Sequence, residues 1–589
     1  MNHEPLILGI CNTSDSGAAL LRGNDILGAV GEERLNRVKL TREFPVRAIT
    51  WLLKEAGCTA VDLDHIACGA WAGLDPTLGP PLLVESLLAH LSSSKVTQKS
   101  KVFLERTAAS CRTDAIQRQA FLTGLQQYGL PLERVGFYDH HLAHALTAYC
   151  GSPFRECWIL TSDLRGDHRS TTLWAAGPDQ GLRLLHQVTE WDSVGAFYAI
   201  ITALLGFTPD RHEGKVMGLA AHGNPARCRS VMKEMIELRE GTFHAQLGPL
   251  YKPFVQPDVP KLRSRLAHSS CEDIAASAQE HLERLLLGYL RYHHRRHSPG
   301  RPIALAVAGG VFANIRLNAR LAALDFVEDL FVFPNMGDGG CALGGALAAR
   351  YHRSHQNLEA LPKGLPHVYL GPAYDDVDFE KALHGTGLEV TMLDSPSRTV
   401  ATCLAAGLIV GWFQGRTEYG PRALGNRSIL APAISTLYHE ELNRRLHRDD
   451  FMPFAPVLIE EVASRCFKDY KASSRTHEFM TTLYTATKWF TEKCPAAVHV
   501  DGTARPQVVR RDVNPLYHEI LDNYFRMTGI PAVINTSFNT HEEPIVCSPS
   551  NAVHCFQSGA AELLVLGNRL CYDQAFAGTV ASLLGDRNP

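Results

Sequence analysis

Apolar residues run through Leu6-Ile7-Leu8-Gly9-Ile10 and give way to the turn-rich Asn12-Thr13-Ser14-Asp15-Ser16-Gly17. A short apolar run closed by a polar turn predicts a buried strand. Two further strands are predicted at Ala18 to Leu21 and Ile26 to Val30, separated by the turn Gly23-Asn24-Asp25. The same succession returns at Cys157 to Thr161, Ser162 to Arg169 and Ser170 to Ala176. Two segments that each begin strand, polar Asp/Gly turn, strand predict an internally duplicated α/β domain. Between them, Ala48 to Ala56 and Ile274 to His293 place apolar residues at three- and four-residue steps, the helical period.

From Ser354 to Gly371 the chain turns polar and gains Pro362 and Pro366, with Pro372 following, which predicts a linker. Beyond it lie β-rich pieces at Leu408 to Phe413, Pro456 to Ile459, Ala497 to Val500 and Ala532 to Asn535. The expected division is therefore a first domain over residues 1–360 and a second over 366–589. No low-complexity block or short tandem repeat interrupts either part.

Composition narrows the class. With 589 residues, 45% hydrophobic and 20% charged, the chain is long enough for several self-sufficient cores. Lys plus Arg (58) nearly balances Asp plus Glu (61), a net charge of −3. Backbone-driven nucleic-acid binding favours a basic chain, so no nucleic-acid partner is expected. The longest greasy run, Leu404 to Phe413, is shorter than the roughly 20 residues that span a bilayer, so no membrane partner is expected. The first eleven residues lack the basic start of a signal peptide. The fifteen cysteines are scattered and contain no C-x-x-C pair, which points to buried thiols in a reducing, cytoplasmic setting.

Candidate chemistry begins at Asp139-His140-His141-Leu142-Ala143-His144. His140 and His144 are four residues apart, so a helix carries both imidazoles on one face, able to grip one cation. Asp163 and Asp338 follow predicted strands at Trp158 to Ser162 and Leu330 to Phe333, where open α/β sheets hold their ligands. Two imidazoles and two carboxylates suit iron, manganese or zinc. Each acid alone is equally a turn former or a helix cap. Glycine turns lie beside them: Leu164-Arg165-Gly166-Asp167, Gly309-Gly310, and Gly337-Asp338-Gly339-Gly340 ahead of a helix from Cys341 to Arg350. Together they suggest a nucleotide-phosphate cleft, with Glu213 and Lys215 of Glu213-Gly214-Lys215-Val216-Met217-Gly218-Leu219 nearby.

The second half is rich in arginine set among small residues. Gly415-Arg416-Thr417-Glu418-Tyr419-Gly420-Pro421-Arg422 continues through Ala423-Leu424-Gly425-Asn426-Arg427-Ser428. Arg505 follows in His499 to Gln507, and Asn535-Thr536-Ser537-Phe538-Asn539 ends a further strand. Guanidinium forks bind phosphate and carboxylate oxygens in pairs, so these turns read as a polyanion pocket. A single such arginine is more often a solvated charge.

On these residues the chain resembles the nodulation/cephamycin-type O-carbamoyltransferases, the NodU/CmcH group that includes tobramycin carbamoyltransferase. The resemblance runs from about Leu6 to Leu566. It rests on Glu32-Glu33-Arg34, His140-x-x-x-His144, Glu213 to Ala220, Gly309-Gly310 with Asn314 and Asn318, and Asp338. It continues through Gly420 to Ser428, Phe451-Met452-Pro453-Phe454-Ala455-Pro456, His499 to Gln507 and Asn535 to Asn539. It implies an α/β protein with an actin-like (ASKHA), tRNA-threonylcarbamoyl-transferase-like first domain and a YrdC-like second one. The implied partners are carbamoyl phosphate, ATP with magnesium, and a small-molecule hydroxyl acceptor such as an antibiotic, toxin or glycan; a homodimer is left open. The second domain would make carbamoyl adenylate. The first would transfer the carbamoyl group beside a divalent metal, usually iron, and release AMP. The intermediate, open to hydrolysis, would travel in a shielded passage.

By motif, the implied metal ligands are His140, His144, Asp163 and Asp338. The implied adenylation pocket holds Arg422, Arg448, Arg505 and Ser537, with Arg416, Asn535 and Thr536 as lesser members. His141 is the expected proton acceptor. Two departures stand out: the His-Asp pair common in the first turn of the family reads Ser14-Asp15 here, and Met452 replaces an arginine found in some members. The alternatives are a tRNA threonylcarbamoyl-type modification enzyme, a catalytically drifted nucleotide-binding regulator, and a sugar-kinase-like phosphotransferase.

Overall fold

The computed structural model describes residues 4–73, 96–248, 250–251, 259–447 and 454–585. It divides into two units: residues 1–32 with 41–365, and residues 33–40 with 366–589. The segment Glu33–Leu40, expected in the first domain, therefore groups with the second unit. The reason is its arginines. Arg34 donates to the Gly420 carbonyl at 2.6 Å, and Arg37 donates to the carbonyls of Ile545 and Pro544, both at 2.7 Å.

The first unit contains two five-stranded sheets. In one, β1 (Leu6–Cys11), β2 (Gly17–Arg22) and β3 (Asp25–Gly31) pair antiparallel, and β4 (His65–Cys68) and β5 (Val135–Phe137) extend β1 in parallel. In the other, β6 (Cys157–Gly166), β7 (Arg169–Gly177) and β8 (Gly181–Thr189) form the antiparallel set. A hairpin of β9 (Ile236–Arg239) and β10 (Thr242–Ala245) stands apart. The parallel arm beside β6 is β11 (Ile303–Ala308) and β12 (Val327–Val332). Both sheets thus have the order 3-2-1-4-5 counted within each half, the duplicated order of the actin-like fold.

Small residues set how closely the layers approach. The helix Cys341–Arg353 lies on β1 and β4 through glycines: a Cβ on Gly9 would overlap the Ala342 carbonyl, and one on Gly69 the Cys341 carbonyl. A Cβ on Gly344 would stand 2.5 Å from the Ala143 carbonyl, in the helix His140–Gly151. The glycines bring the Cys341 end of one helix against the His140–Ala143–His144 face of the other. The predicted helix Ile274 to His293 is longer, Cys271–His297, with Ser270 accepting the Asp273 N–H as its cap. Its face packs with Leu160, Phe197 and Val307 in the core.

The second unit is built on one eight-stranded mixed sheet. Its strands are β13 (Glu389–Met392), β14 (Val410–Phe413), β15 (Arg427–Pro432), β16 (Ala455–Ile459), β19 (Gln507–Val509), β20 (Val533–Ser537), β21 (Leu563–Leu566) and β22 (Arg569–Tyr572); the short β17 (Tyr484–Thr485) and β18 (Thr503–Ala504) pair separately. The spatial order is β13-β22-β21-β14-β15-β20-β16-β19. Trp412, Ile429, Leu430 and Leu563 to Leu566 fill its core. The strand expected at Ala497 to Val500 is not formed. Pro495 opens a 3₁₀ turn over Pro495–Ala497, and Val500 is 72% exposed, so the apolar letters there do not build a strand.

Two tests follow from this packing. Gly9→Ala should lower stability by about 1–3 kcal/mol through overpacking, whereas Gly214→Ala, with no atom within 4 Å of the added Cβ, should not; chemical unfolding of both measures this. The second is pH. Burial holds buried His293 of the first unit down at about 4 and buried His477 of the second at about 3. Their folded values lie below the unfolded one, so the unfolded chain binds more protons in acid. The contribution of these two histidines should be complete above about pH 6.5 and fall toward pH 4, by up to about 1.4 kcal/mol per pH unit for each. Unfolding midpoints that stay level from pH 7 to 5 would contradict this.

Candidate functional site

Asp139 starts the helix His140–Gly151 by accepting the Leu142 N–H at 2.8 Å, and Arg169 donates to its other oxygen. This cap fixes the first turn, and the helical period does the rest. His140 Nε2 and His144 Nε2 stand 3.1 Å apart, and both rings are buried. Asp163 lies at a register break in β6, which runs on to Gly166 rather than stopping at Ser162 as expected. Its Oδ2 is 3.1 Å from His144 Nε2 and 3.8 Å from His140 Nε2. Asp338 sits in the 3₁₀ turn Asp338–Gly340, with Oδ1 3.5 Å from His140 Nε2 and 3.9 Å from His144 Nε2. One donor atom from each of the four residues falls within 4.8 Å of every other.

One neighbour of the two imidazoles was missed in the sequence. Cys341 Sγ is buried, 3.5 Å from His144 Nε2 and 3.8 Å from His140 Nδ1. The electrostatics are those of a cation site. Burial alone would raise the Asp163 carboxyl, but hydrogen bonding to His140 and His144 holds it well below its usual value. Burial alone would lower both imidazoles, yet His140 is raised well above its ordinary value by Cys341 and Asp338, and His144 to about 9 by Cys341. Dense negative charge facing two Nε2 atoms fits a divalent metal, and the nitrogen and oxygen donors fit iron, manganese or zinc.

The remaining first-unit candidates divide by role. Ser14 Oγ donates to Asp338 Oδ2 at 3.1 Å, so it orients the acid. Asp15 Oδ2 closes on Gly339, where a Cβ would stand 2.5 Å from it. His141, the expected proton acceptor, is fully buried against the sheet, with Nδ1 2.7 Å from the Thr161 hydroxyl. Burial and the adjacent His140 and His144 hold it well below its ordinary value. Gly309 takes φ +108°, and Gly310 donates its N–H to Asp163 Oδ2 at 3.2 Å; this pair supports a candidate ligand rather than a free phosphate cradle. Asn314 caps the helix Ile315–Ala322, and Asn318 donates to the Phe312 carbonyl. Glu213 accepts the Asp210 N–H, and Lys215 Nζ lies 5.8 Å from the Phe207 ring centre.

In the second unit the loop from Arg416 to Ser428 is held by buried Glu418, whose Oε1 accepts the N–H groups of Leu424 and Asn426 at 2.8 Å and of Arg427 at 3.2 Å. Arg427 is a structural cation: fully buried, it donates to the carbonyls of Gly415, Asn426 and Cys547 and stacks 3.7 Å from the Phe413 ring centre. Arg416 likewise donates to the Leu370 carbonyl. Asn535 is buried and donates to the Ala423 carbonyl and Gln507 Oε1, so it supports the loop from below. Arg422 is half-buried, and burial lowers its guanidinium from the ordinary value. Arg505, half-buried, is the charge that joins burial in holding His499 down at about 4. Thr536 and Ser537 end β20, with Ser537 paired in register to Ser428. Arg448 and Met452 lie outside the described residues.

Comparison with known proteins agrees with this two-part arrangement. Residues 6–347 match the family model described as Carbamoyltransferase N-terminus, and residues 401–572 match Carbamoyltransferase C-terminus. Nodulation protein NolNO of Sinorhizobium fredii is 34% identical across 94% of this chain and 78% of its own. Nodulation protein NolO of Bradyrhizobium diazoefficiens is 34% identical across 73% of this chain and 78% of its own. An uncharacterised protein of Synechocystis sp., sll1178, is 30% identical across 95% and 96%. Among solved structures, component A of (R)-2-hydroxyglutaryl-CoA dehydratase from Acidaminococcus fermentans covers 60% of this chain and 99% of its own at 13% identity and a TM-score of 0.33. With both halves matched in order, the chain belongs to the carbamoyltransferase family, and the protein is a transferase.

Proposed function

We propose that the protein is an ATP-dependent O-carbamoyltransferase of the cytoplasm, acting on a hydroxyl of a specialised metabolite. The observation that carries this reading is the convergence of His140, His144, Asp163 and Asp338 within 4.8 Å in a chain of this family. All fifteen cysteines are free thiols, which supports a reducing compartment. Among the described residues no helix is long and apolar enough to cross a membrane.

In this reading the second unit converts carbamoyl phosphate and ATP to carbamoyl adenylate. Water hydrolyses carbamoyl phosphate to carbamate and inorganic phosphate, and the carbamate oxygen attacks the α-phosphorus of ATP, expelling pyrophosphate. Arg422, on a loop already fixed by Glu418 and Asn535, and Arg505, after β18, bind the phosphoryl oxygens as charge builds. The first unit then receives the adenylate. The acceptor hydroxyl oxygen attacks the carbamoyl carbon and gives up its proton to water, the bond to AMP breaks, and a carbamate ester and AMP leave. A divalent ion held by His140, His144, Asp163 and Asp338 would polarise the carbamoyl carbonyl as a Lewis acid. Ser14 keeps Asp338 aimed into the cluster, and Gly310 does the same for Asp163.

The two half-reactions separate experimentally. Arg505→Ala should reduce carbamoyl-phosphate-dependent exchange of pyrophosphate into ATP by about a hundredfold or more. His144→Ala should leave that exchange intact and stop AMP release on adding acceptor alcohols. Undiminished exchange in the first variant, or loss of both activities in a folded second variant, would show the labour is divided otherwise.

A further inference from the structure

The turn that leads to Arg505 is closed on itself. His499 donates its backbone N–H to the Thr503 carbonyl at 2.8 Å, and Gly502 donates to the His499 carbonyl at 2.9 Å. Gly502 takes φ +77°, a conformation open to glycine without a steric penalty. The closure brings the His499 ring to the Thr503 side chain, with Nδ1 3.1 Å from Thr503 Oγ1. Thr503 Oγ1 in turn donates to Asp501 Oδ1 at 2.6 Å, and the Thr503 N–H reaches the same oxygen at 3.1 Å.

The order of donors along this series fixes the histidine tautomer. A hydroxyl has one hydrogen and a carboxylate only accepts, so that hydrogen goes to Asp501. Thr503 Oγ1 is left as an acceptor, and the bond it shares with His499 is made by an N–H on Nδ1. Burial, Arg505 and His439 outweigh Asp501 in disfavouring a second proton, so the ring is neutral. A neutral ring with its hydrogen on Nδ1 carries its lone pair on Nε2. That nitrogen has no hydrogen-bond partner among the described residues. A carboxylate, a hydroxyl and an imidazole in series, ending on a bare nitrogen, orient a base for proton transfer.

We propose that His499 is the general base of the first half-reaction, taking a proton from the water that attacks carbamoyl phosphate. This rests on the reading of the second unit as the place where the adenylate forms. Nε2 takes one proton from the water as its oxygen bonds to the carbamoyl carbon. The bond between that carbon and the phosphate oxygen then breaks. His499 passes its proton to the departing phosphate, and the carbamic acid loses its own to solvent, leaving carbamate. A phosphate dianion on Arg505 offsets the guanidinium charge, which strengthens Nε2 as a base while substrate is bound.

Carbamate supplied ready-made bypasses this step, so two donors separate the base from the rest of the site. The readout is exchange of pyrophosphate into ATP by the full-length protein, started with carbamoyl phosphate or with freshly dissolved ammonium carbamate. Wild type should exchange with both. His499→Asn keeps an N–H donor for Thr503 and has no basic nitrogen. It should lose about a hundredfold or more with carbamoyl phosphate and nothing with carbamate. Arg505→Ala should lose exchange with both donors. His499→Gln, checked for native circular dichroism, repeats the measurement should the asparagine form fail to fold. A folded His499 variant that keeps exchange with carbamoyl phosphate, or loses it equally with both donors, overturns the inference and leaves the adenylation reading standing. Wild-type exchange with carbamoyl phosphate alone does the same, since no free carbamate would then form. No wild-type exchange with either donor overturns both.

Discussion

Two imidazole nitrogens 3.1 Å apart, faced by two carboxylates and buried from water, are the constraint around which the first unit is organised. Such a concentration of polar groups is costly in a protein interior unless a charge of opposite sign compensates it. The surrounding structure makes that cost tolerable by holding every donor from behind. Asp139 and Arg169 fix the helix start, Gly310 and Ser14 each hold one carboxylate, and Thr161 fixes the orientation of His141 beneath the pair. The glycine seam along Gly9, Gly69 and Gly344 lets the Cys341 helix come close enough to complete the set.

The second unit uses charge differently. Its most deeply buried guanidinium, Arg427, is saturated by backbone carbonyls, and a single carboxylate, Glu418, gathers the amides of Leu424, Asn426 and Arg427 in the same loop. These groups build the loop. Arg422 and Arg505 are only half-buried. An arginine-rich motif therefore contains two kinds of arginine, distinguishable only once the carbonyls around each are known.

The duplicated strand order was legible because each half opens with an apolar run and a polar turn, and the two imidazoles because helical spacing is a local property. Asp163 and Asp338 were found through strand ends, although β6 continues past Asp163 through a register break that no pattern announces. Cys341 escaped because its partners are some two hundred positions away in sequence and the scattered cysteines offered no spacing rule; its one local signal was its place three residues after Asp338. The run Ala497 to Val500 misled for the opposite reason, since apolar letters there sit in a proline-started turn. Asn314, Asn318 and Arg427 carry motif letters whose visible work is capping and cross-linking, which sequence alone does not separate from ligand binding.

The most direct test is the metal content of protein purified without added ions, measured by elemental analysis for the wild type and for Asp163→Asn. The account requires about one transition-metal ion per wild-type chain and nearly none in the folded variant. Wild-type protein free of metal and fully active in carbamoyl transfer in the presence of a strong chelator would contradict it.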